Sequence, residues 1–366
     1  MRELRIVLRD KAYSVLIDQV LFASGTWDSI FSTPIVTGAI ITNATVARFH
    51  LARIRDLIRK AIPHLTEIVL PDGEEYKTLS TVEAIYHRLA EAGLDRRSVL
   101  IALGGGVITD MTGFAASTYL RGIPYYQVPT SLLAQVDSSV GGKTGVNLPA
   151  GKNLVGTFYQ PEGVLIDLSF LRTLPAREFR EGLSEVAKAG FLAGGDLFAL
   201  LKNQPEALAE PDGPALAEAV ALSIDYKRGI VEQDERESGI RAVLNYGHTL
   251  GHALERAAGY GALRHGEAVA MGMAGEALVG VRLGLVDSGF YTEQAAILRS
   301  LDLPVKATVP VSRATFFQAL WQDKKREAGH LRFALVERPG KPLFGIPVTA
   351  SLIDDILPEM IEVIEP

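Results

Sequence analysis

The chain contains no cysteine. Disulfides and thiolate metal ligands are therefore excluded, and any bound metal must be held by nitrogen and oxygen. No apolar run reaches the roughly 18–20 residues that span a bilayer, so no membrane partner is expected. Low-complexity tracts and internal repeats are missing too. Nor is there an excess of positive charge: 37 Lys and Arg stand against 43 Asp and Glu, a formal charge of −6. Nucleic acid is not expected as the main partner, although a local basic pocket for a small anion stays possible. The opening MRELRIVLRD is charged and strand-like, unlike a signal peptide, so a cytoplasmic protein is expected. Histidine is scarce as well. There are seven, and His248, His252 and His265 crowd into LNYGHTLGHALERAAGYGALRHGE.

What is present in quantity is length. At 366 residues the chain exceeds one small core, and two domains are the natural division. In the first half, β-rich runs (IVTGAIITN, TEIVLPDG, SVLIALGGG, YYQVP, GVLIDL) alternate with amphipathic segments such as VARFHLARIRDLIRKAI and VEAIYHRLAEAGL. That alternation predicts an α/β domain with a mainly parallel, Rossmann-like sheet, whose ligands bind where loops leave the strands' carboxyl ends. After LRTLPAREF the pattern turns helical, which places the boundary near Thr173–Pro175. Residues 1–174 are read as the α/β domain and 175–366 as an all-α domain, with the active site in the cleft between them.

Two glycine stretches look like nucleotide loops and fail the simple tests. In VLIALGGGVITD, Gly104, Gly105 and Gly106 precede a helix, which permits close approach of a phosphate. Thr109 stands where the third glycine of G-x-G-x-x-G belongs, so a bare tight turn stays equally open. In DSSVGGKTG a P-loop would need glycine where Asp137 stands. What remains are Lys143, Lys152 nine residues on, and Arg121 upstream, three cations beside glycine turns that fit an anionic substrate or plain solvation.

In RAVLNYGHTLGHALE, helical spacing aligns Arg241, Asn245, His248 and His252 on one face. Such a stripe in an apolar helix needs partners, or else marks a solvated face. His248 and His252 have the four-residue spacing of a metal pair, but the glutamate of H-E-x-x-H is absent. His265 opens the next helix and can turn back onto the same site. A carboxylate such as Glu185, one turn from Lys188 in EGLSEVAKAG, would complete an open site. Spacing alone leaves the ligands unassigned.

Taken together, PDGEEYKTL, GGGVITDMTGFAASTYLRG, VPTSLLAQVDSSVGGKTGVN, GKNLVGTFYQP, FLRTLP, GLSEVAKAG, LNYGHTLGHALE, HGEAVAMGM and DKKREAGHLRF resemble the 3-dehydroquinate synthase family of sugar phosphate cyclases, in order and spacing through nearly the whole chain. The resemblance implies a zinc site of Glu185, His248 and His265, with cobalt as an alternative metal. His252 is then a neighbour facing substrate. It implies NAD along Asp72, Gly73, Glu74, Glu75, Tyr76 and Lys77, and along Gly104 to Gly106, Val107, Ile108, Thr109 and Asp110. The same cofactor would touch Asn43, Thr130, Ser131, Lys143 and Lys152, and Phe170, Leu171, Arg172 and Thr173.

Substrate contacts are implied at Arg121, Asp137, Lys143, Lys152 and Asn153, and at Lys188, Lys227, Arg241, Asn245 and His252. A lysine of DKK, Lys324 or Lys325, joins them. Residues 1–174 become the NAD-binding domain and 175–366 the metal- and substrate-binding domain, in a homodimer. Ser131, Ala187, Ala189 and Tyr246 depart from the family's usual residues without removing a charged or metal-binding group.

The implied reaction takes 3-deoxy-D-arabino-heptulosonate 7-phosphate to 3-dehydroquinate and phosphate, in the shikimate route to aromatic amino acids. It proceeds by transient oxidation, β-elimination of phosphate, re-reduction and aldol closure. The alternatives are a sister cyclase, an NAD-dependent polyol dehydrogenase that releases its NADH, and a catalytically silent NAD-binding sensor.

Overall fold

Every residue of Val99–Gly104 is buried in the computed structural model, as expected for a strand covered on both faces. Its alternate side chains enter different cores. Leu100 and Ala102 join the cluster of Ile68, Ile85 and Met111, whereas Val99, Ile101 and Leu103 join that of Ile54, Ile58 and Leu165. The structure describes residues 1–24, 30–31, 35–259, 261–322, 326–327 and 330–365. They divide into two units, Met1–Pro175 and Ala176–Pro366.

In the first unit, β1 (Arg2–Val7), β2 (Ala12–Asp18), β3 (Thr37–Asn43), β4 (His64–Leu70), β5 (Val99–Gly104), β6 (Tyr125–Pro129) and β9 (Gly163–Asp167) form one sheet. Its order is β1-β2-β9-β6-β5-β3-β4. Only the edge pair β1–β2 is antiparallel. The mainly parallel sheet expected from the strand–helix alternation is present. After β4 the chain returns across β3 to build β5, so the topological switch lies between the carboxyl ends of β3 and β5, where open α/β sheets bind ligands.

Strands β7 (Lys143–Leu148) and β8 (Gly151–Phe158) form a separate antiparallel hairpin. Sequence reading places Lys143 in a loose glycine setting; it is instead the first residue of this hairpin. Glycine has a packing role here, because a side chain on Gly145 would strike the Val155 carbonyl oxygen at 2.6 Å. The hairpin lies against the Gly106–Thr118 helix, where Gly113 leaves room for Thr144.

The second unit is mainly helical, as expected. It also carries a three-stranded antiparallel sheet of Arg326–Glu327, His330–Arg338 and Lys341–Val348, and a short parallel pair, Val311–Ser312 with Ile364–Glu365. Leu331, Phe333 and Leu335 of the larger sheet pack with Leu250, Leu254, Phe316 and Ile356 from the helices. The His265–Arg282 helix is buried at Gly266 and from Ala268 to Gly280, which makes it the unit's central element. No helix among the described residues is long and apolar enough to cross a membrane.

Candidate active site

Arg241, Asn245, His248 and His252 do not lie on one continuous helix. Ile240–Asn245 is a 3-10 turn, Gly247 takes a left-handed φ of 79°, and the α-helix begins only at His248. A helical face continues across a junction only if the backbone stays helical, and Gly247 breaks it. His248 is thereby the first residue of a helix.

His265 likewise opens its helix, and Glu185 lies within Ala176–Ala193. The three meet. Glu185 Oε1 is 3.5 Å from His248 Nε2 and 3.9 Å from His265 Nε2. His252 stands one turn beyond His248, and one ring nitrogen from each of the three histidines falls within 4.8 Å of the others. Distance alone leaves four candidate ligands. They differ in burial: Glu185 is 2 % exposed, His248 and His265 are partly buried, and His252 is exposed.

Neither carboxylate oxygen of Glu185 has a well-aligned hydrogen-bond donor, although the Lys188 ammonium pairs with Oε2. Lys188 thus balances the charge at Oε2, while the buried Oε1 faces the two imidazoles, where a metal cation would complete it. The surroundings prepare the imidazoles for the same task. His248 Nδ1 is 3.2 Å from the Tyr246 carbonyl, a contact in which the ring nitrogen donates and Nε2 is left with a lone pair facing Glu185. His265 Nδ1 is 3.6 Å from Glu255 Oε2, a comparable outer partner. Burial above all, then the positive charges of Lys188, His252 and His265, push the His248 pKa well below its ordinary value. A neutral imidazole is the ligating form. Two nitrogens and a carboxylate, with no sulfur, suit a zinc-like divalent ion.

Near this cluster in the chain are three buried cations, Lys188, Lys227 and Arg241, at 5 %, 8 % and 2 % exposure. Burying cations is expensive unless anions of the protein or a ligand meet them. Arg241 is fixed by its own backbone, whose N–H donates to Asp234 Oδ2 at 3.0 Å, and by its guanidinium, which donates to the Glu235 carbonyl. Burial would raise the Asp234 pKa, but donors from Ser238, Arg241 and Gly239 outweigh it and hold the carboxyl at about 2. Asn245 Nδ2 donates to Glu237 Oε1 at 2.7 Å. In the sequence, Asp234 and Glu237 show only as part of the acidic QDERES run just ahead of Arg241. Lys324 and Lys325 lie outside the described residues.

In the first unit the expected cofactor residues collect at strand carboxyl ends. Asn43 ends β3, Gly104 ends β5, and Asp72 follows β4. The Asp72 carboxylate accepts from Asn43 Nδ2, and from the Thr45 backbone and hydroxyl at 3.1 and 3.0 Å. Past Gly104 the Gly106–Thr118 helix begins, with Gly105 as its cap. A Cβ on Gly105 would sit 3.3 Å from Ser131 Oγ, so glycine keeps that surface open. The unmatched N–H groups of the helix's first turn favour an anion. Thr109, which spoils the simple fingerprint, donates to the Gly106 carbonyl at 3.0 Å and meets Ser138 Oγ at 3.2 Å. Its hydroxyl ties the helix to the π-helical turn Ala134–Ser138, which carries Asp137.

The Asp72–Lys77 segment ends at the buried Lys77, which joins it to a half-buried Asp110 and an exposed Asn153. Lys77 Nζ donates to Asp110 Oδ2 at 2.6 Å and to Asn153 Oδ1 at 2.7 Å. Asn153 holds a left-handed φ of 54°. Burial raises the Asp110 pKa, and Lys77 opposes it. Earlier in the segment, Gly73 has φ 123°, Glu74 accepts from Asn147 Nδ2 at 2.7 Å, and Glu75 and Tyr76 are exposed. The 3-10 turn Leu168–Thr173 buries Phe170 and Leu171, and Thr173 Oγ1 meets His50 Nε2 at 2.8 Å. Lys143, Lys152 and Arg121 are exposed, Arg121 with a left-handed φ of 68°.

Residues 67–181 match the family model described as 3-dehydroquinate synthase N-terminal, and residues 182–326 match 3-dehydroquinate synthase C-terminal. A curated relative, the 3-dehydroquinate synthase of Shewanella halifaxensis, is 42 % identical over 362 residues, covering 97 % of this chain and 99 % of its own. Among solved structures, 2-deoxy-scyllo-inosose synthase in complex with carbaglucose-6-phosphate, NAD+ and Co2+ superposes with a TM-score of 0.87 at 28 % identity, over 98 % of this chain and 100 % of that one. The 2-epi-5-epi-valiolone synthase of Streptomyces hygroscopicus subsp. jinggangensis, with NAD+ and Zn2+ bound, gives 0.87 at 28 % identity, over 97 % and 98 %.

Proposed function

The chain belongs to the 3-dehydroquinate synthase family, and from that premise we propose that it converts 3-deoxy-D-arabino-heptulosonate 7-phosphate to 3-dehydroquinate and phosphate, as a carbon–oxygen lyase of aromatic biosynthesis. The observation that carries the proposal is the buried Glu185 carboxylate, without aligned donors, facing His248 and His265. We assign these three as metal ligands and His252 as a substrate-side neighbour. The open carboxyl ends of β3 and β5, with Gly105 bare at the helix start, support a dinucleotide site in the first unit. NAD, when bound, supplies a reversible hydride acceptor, and zinc or cobalt supplies a Lewis acid for a substrate hydroxyl.

The chain's own residues divide the remaining work. Lys188, Lys227 and Arg241, with Lys152 and a lysine of the DKK segment, neutralise the substrate's carboxylate and phosphate. Asn153 and Asn245 orient hydroxyls, and Arg121, Asp137 and Lys143 complete the contacts. His252 moves the proton of the hydroxyl that becomes a ketone; being exposed and near the metal ligands, it can exchange that proton with water. The ketone acidifies the adjacent C–H, phosphate leaves by β-elimination, the ring opens after re-reduction, and an intramolecular aldol step closes the carbocycle. We further propose a cytoplasmic homodimer.

The heptulosonate phosphate is favoured over the substrates of sister cyclases because the chain is 42 % identical to a curated 3-dehydroquinate synthase and 28 % identical to the two sister cyclases. Product analysis tests the choice. With NAD and zinc supplied, heptulosonate phosphate should yield inorganic phosphate and 3-dehydroquinate without net NADH. Accumulating NADH would mark a dehydrogenase, and turnover of another sugar phosphate alone would mark a sister cyclase.

A further inference from the structure

Glu276 is fully buried in the middle of the apolar GMAGEALVG run, an expensive place for a carboxylate. Its oxygens are not idle. Oε2 accepts from the Gly247 N–H at 2.7 Å, and Oε1 accepts from Thr249 and Leu250 N–H at 3.0 and 3.2 Å. These amides bracket His248, the first residue of the His248–Ala257 helix. The carboxylate therefore caps that helix from outside the chain segment, in the place a side chain at the N-cap would take. Gly247 itself, left-handed at φ 79°, offers no side chain to do so.

The same helix grips the corner at two further points. A Cβ on Gly272, one turn before Glu276, would overlap the Gly247 carbonyl oxygen, so the two backbones touch there. The single Tyr246 hydroxyl proton has two acceptors in reach, Gln294 Oε1 at 2.6 Å and the Met273 carbonyl at 3.1 Å. Tyr246 in turn offers the carbonyl that faces His248 Nδ1. One helix, His265–Arg282, thus begins with His265 and, through Gly272, Met273 and Glu276, sets the backbone from which His248 projects.

We propose that Glu276 is a positioning residue of the metal centre: it fixes the Tyr246–His248 corner so that His248 Nε2 points at Glu185 and His265. The inference rests on the metal-ligand assignment above. Outer groups of this kind typically change metal affinity by about 10–100-fold.

The test is metal affinity and geometry in the full-length protein, using Co2+ competed against a chelator, with its visible absorption recorded. Glu276→Gln keeps the volume but turns one acceptor into a donor facing backbone N–H groups. It should weaken Co2+ binding at least about tenfold and alter the absorption bands. Leu278→Ala, in the same helix, serves as a control for general destabilisation and should leave affinity and spectrum as in the wild type. Wild-type affinity and spectrum in Glu276→Gln would overturn the proposal, as would an equal loss in Leu278→Ala. Should the glutamine variant fail to fold, Glu276→Asp is read by the same criteria, since its shorter reach loosens the cap. Failure of the wild type to bind Co2+ would count against the ligand assignment itself.

Discussion

His248 Nε2 lies 3.5 Å from Glu185 Oε1, although the two residues are 63 positions apart in sequence and belong to different helices. The Lys188 ammonium holds the other oxygen of the same carboxylate. Replacing Glu185 by Gln should leave the fold in place, because the amide fills the same volume. Metal content after dialysis should fall well below one per chain, and turnover should fall by about 100-fold or more. Full metal content in Glu185→Gln would remove Glu185 from the ligand set.

Two of the three histidines should separate in a paired experiment. His265→Ala is expected to lose the metal. His252→Ala should retain it and lose about 10²–10⁴ in kcat as a proton carrier. Metal loss in His252→Ala with retention in His265→Ala would reverse the assignment.

Acid should destabilise the metal-free protein through His248. Burial and neighbouring cations depress its folded-state pKa below the ordinary 6.5. Between those two values the unfolded chain binds more protons, so this contribution to stability is fully present above about pH 6.5 and is lost as the pH falls below it. Thermal melts of chelator-treated protein at about pH 7.5, 6.5 and 5.5 should show a falling Tm, with a shallower fall in His248→Gln. An equal slope in the variant would show that other groups dominate.

In the first unit, Lys77→Met leaves the Asp110 carboxylate buried beside an apolar chain, since Lys77 is its 2.6 Å partner. Removing one member of a buried pair typically costs about 3 kcal/mol or more. Denaturant melts of Lys77→Met should show that loss, and adding Asp110→Asn should restore part of it. No recovery in the double variant would mean the two losses are independent.

The strands of the α/β unit are legible because their apolar runs have the right length and alternate with amphipathic helices; β5 is the plainest case. Other features escape for identifiable physical reasons. Gly247 interrupts what looks like one helical stripe, and whether a glycine adopts a left-handed backbone is decided by packing against Gly272, which spacing does not show. The β7–β8 hairpin is masked by glycines that read as loop but serve its close packing. Periodicity pairs His248 with His252. Only the fold brings Glu185 and His265 to the same point, and the carboxylate is buried where the His252 imidazole is exposed. Glu276 is a lone charge in an apolar run whose partners lie on another element, so spacing gives it no role.

The central claim is that one chain carries out an internally balanced redox cycle at a metal site. Phosphate release from 3-deoxy-D-arabino-heptulosonate 7-phosphate, with NAD supplied far below the substrate concentration, tests it most directly. Phosphate should exceed NAD many times over, its release should stop when a chelator removes the metal, and it should resume when zinc is restored. Phosphate that never exceeds the NAD supplied, or that flows undiminished without metal, would contradict it.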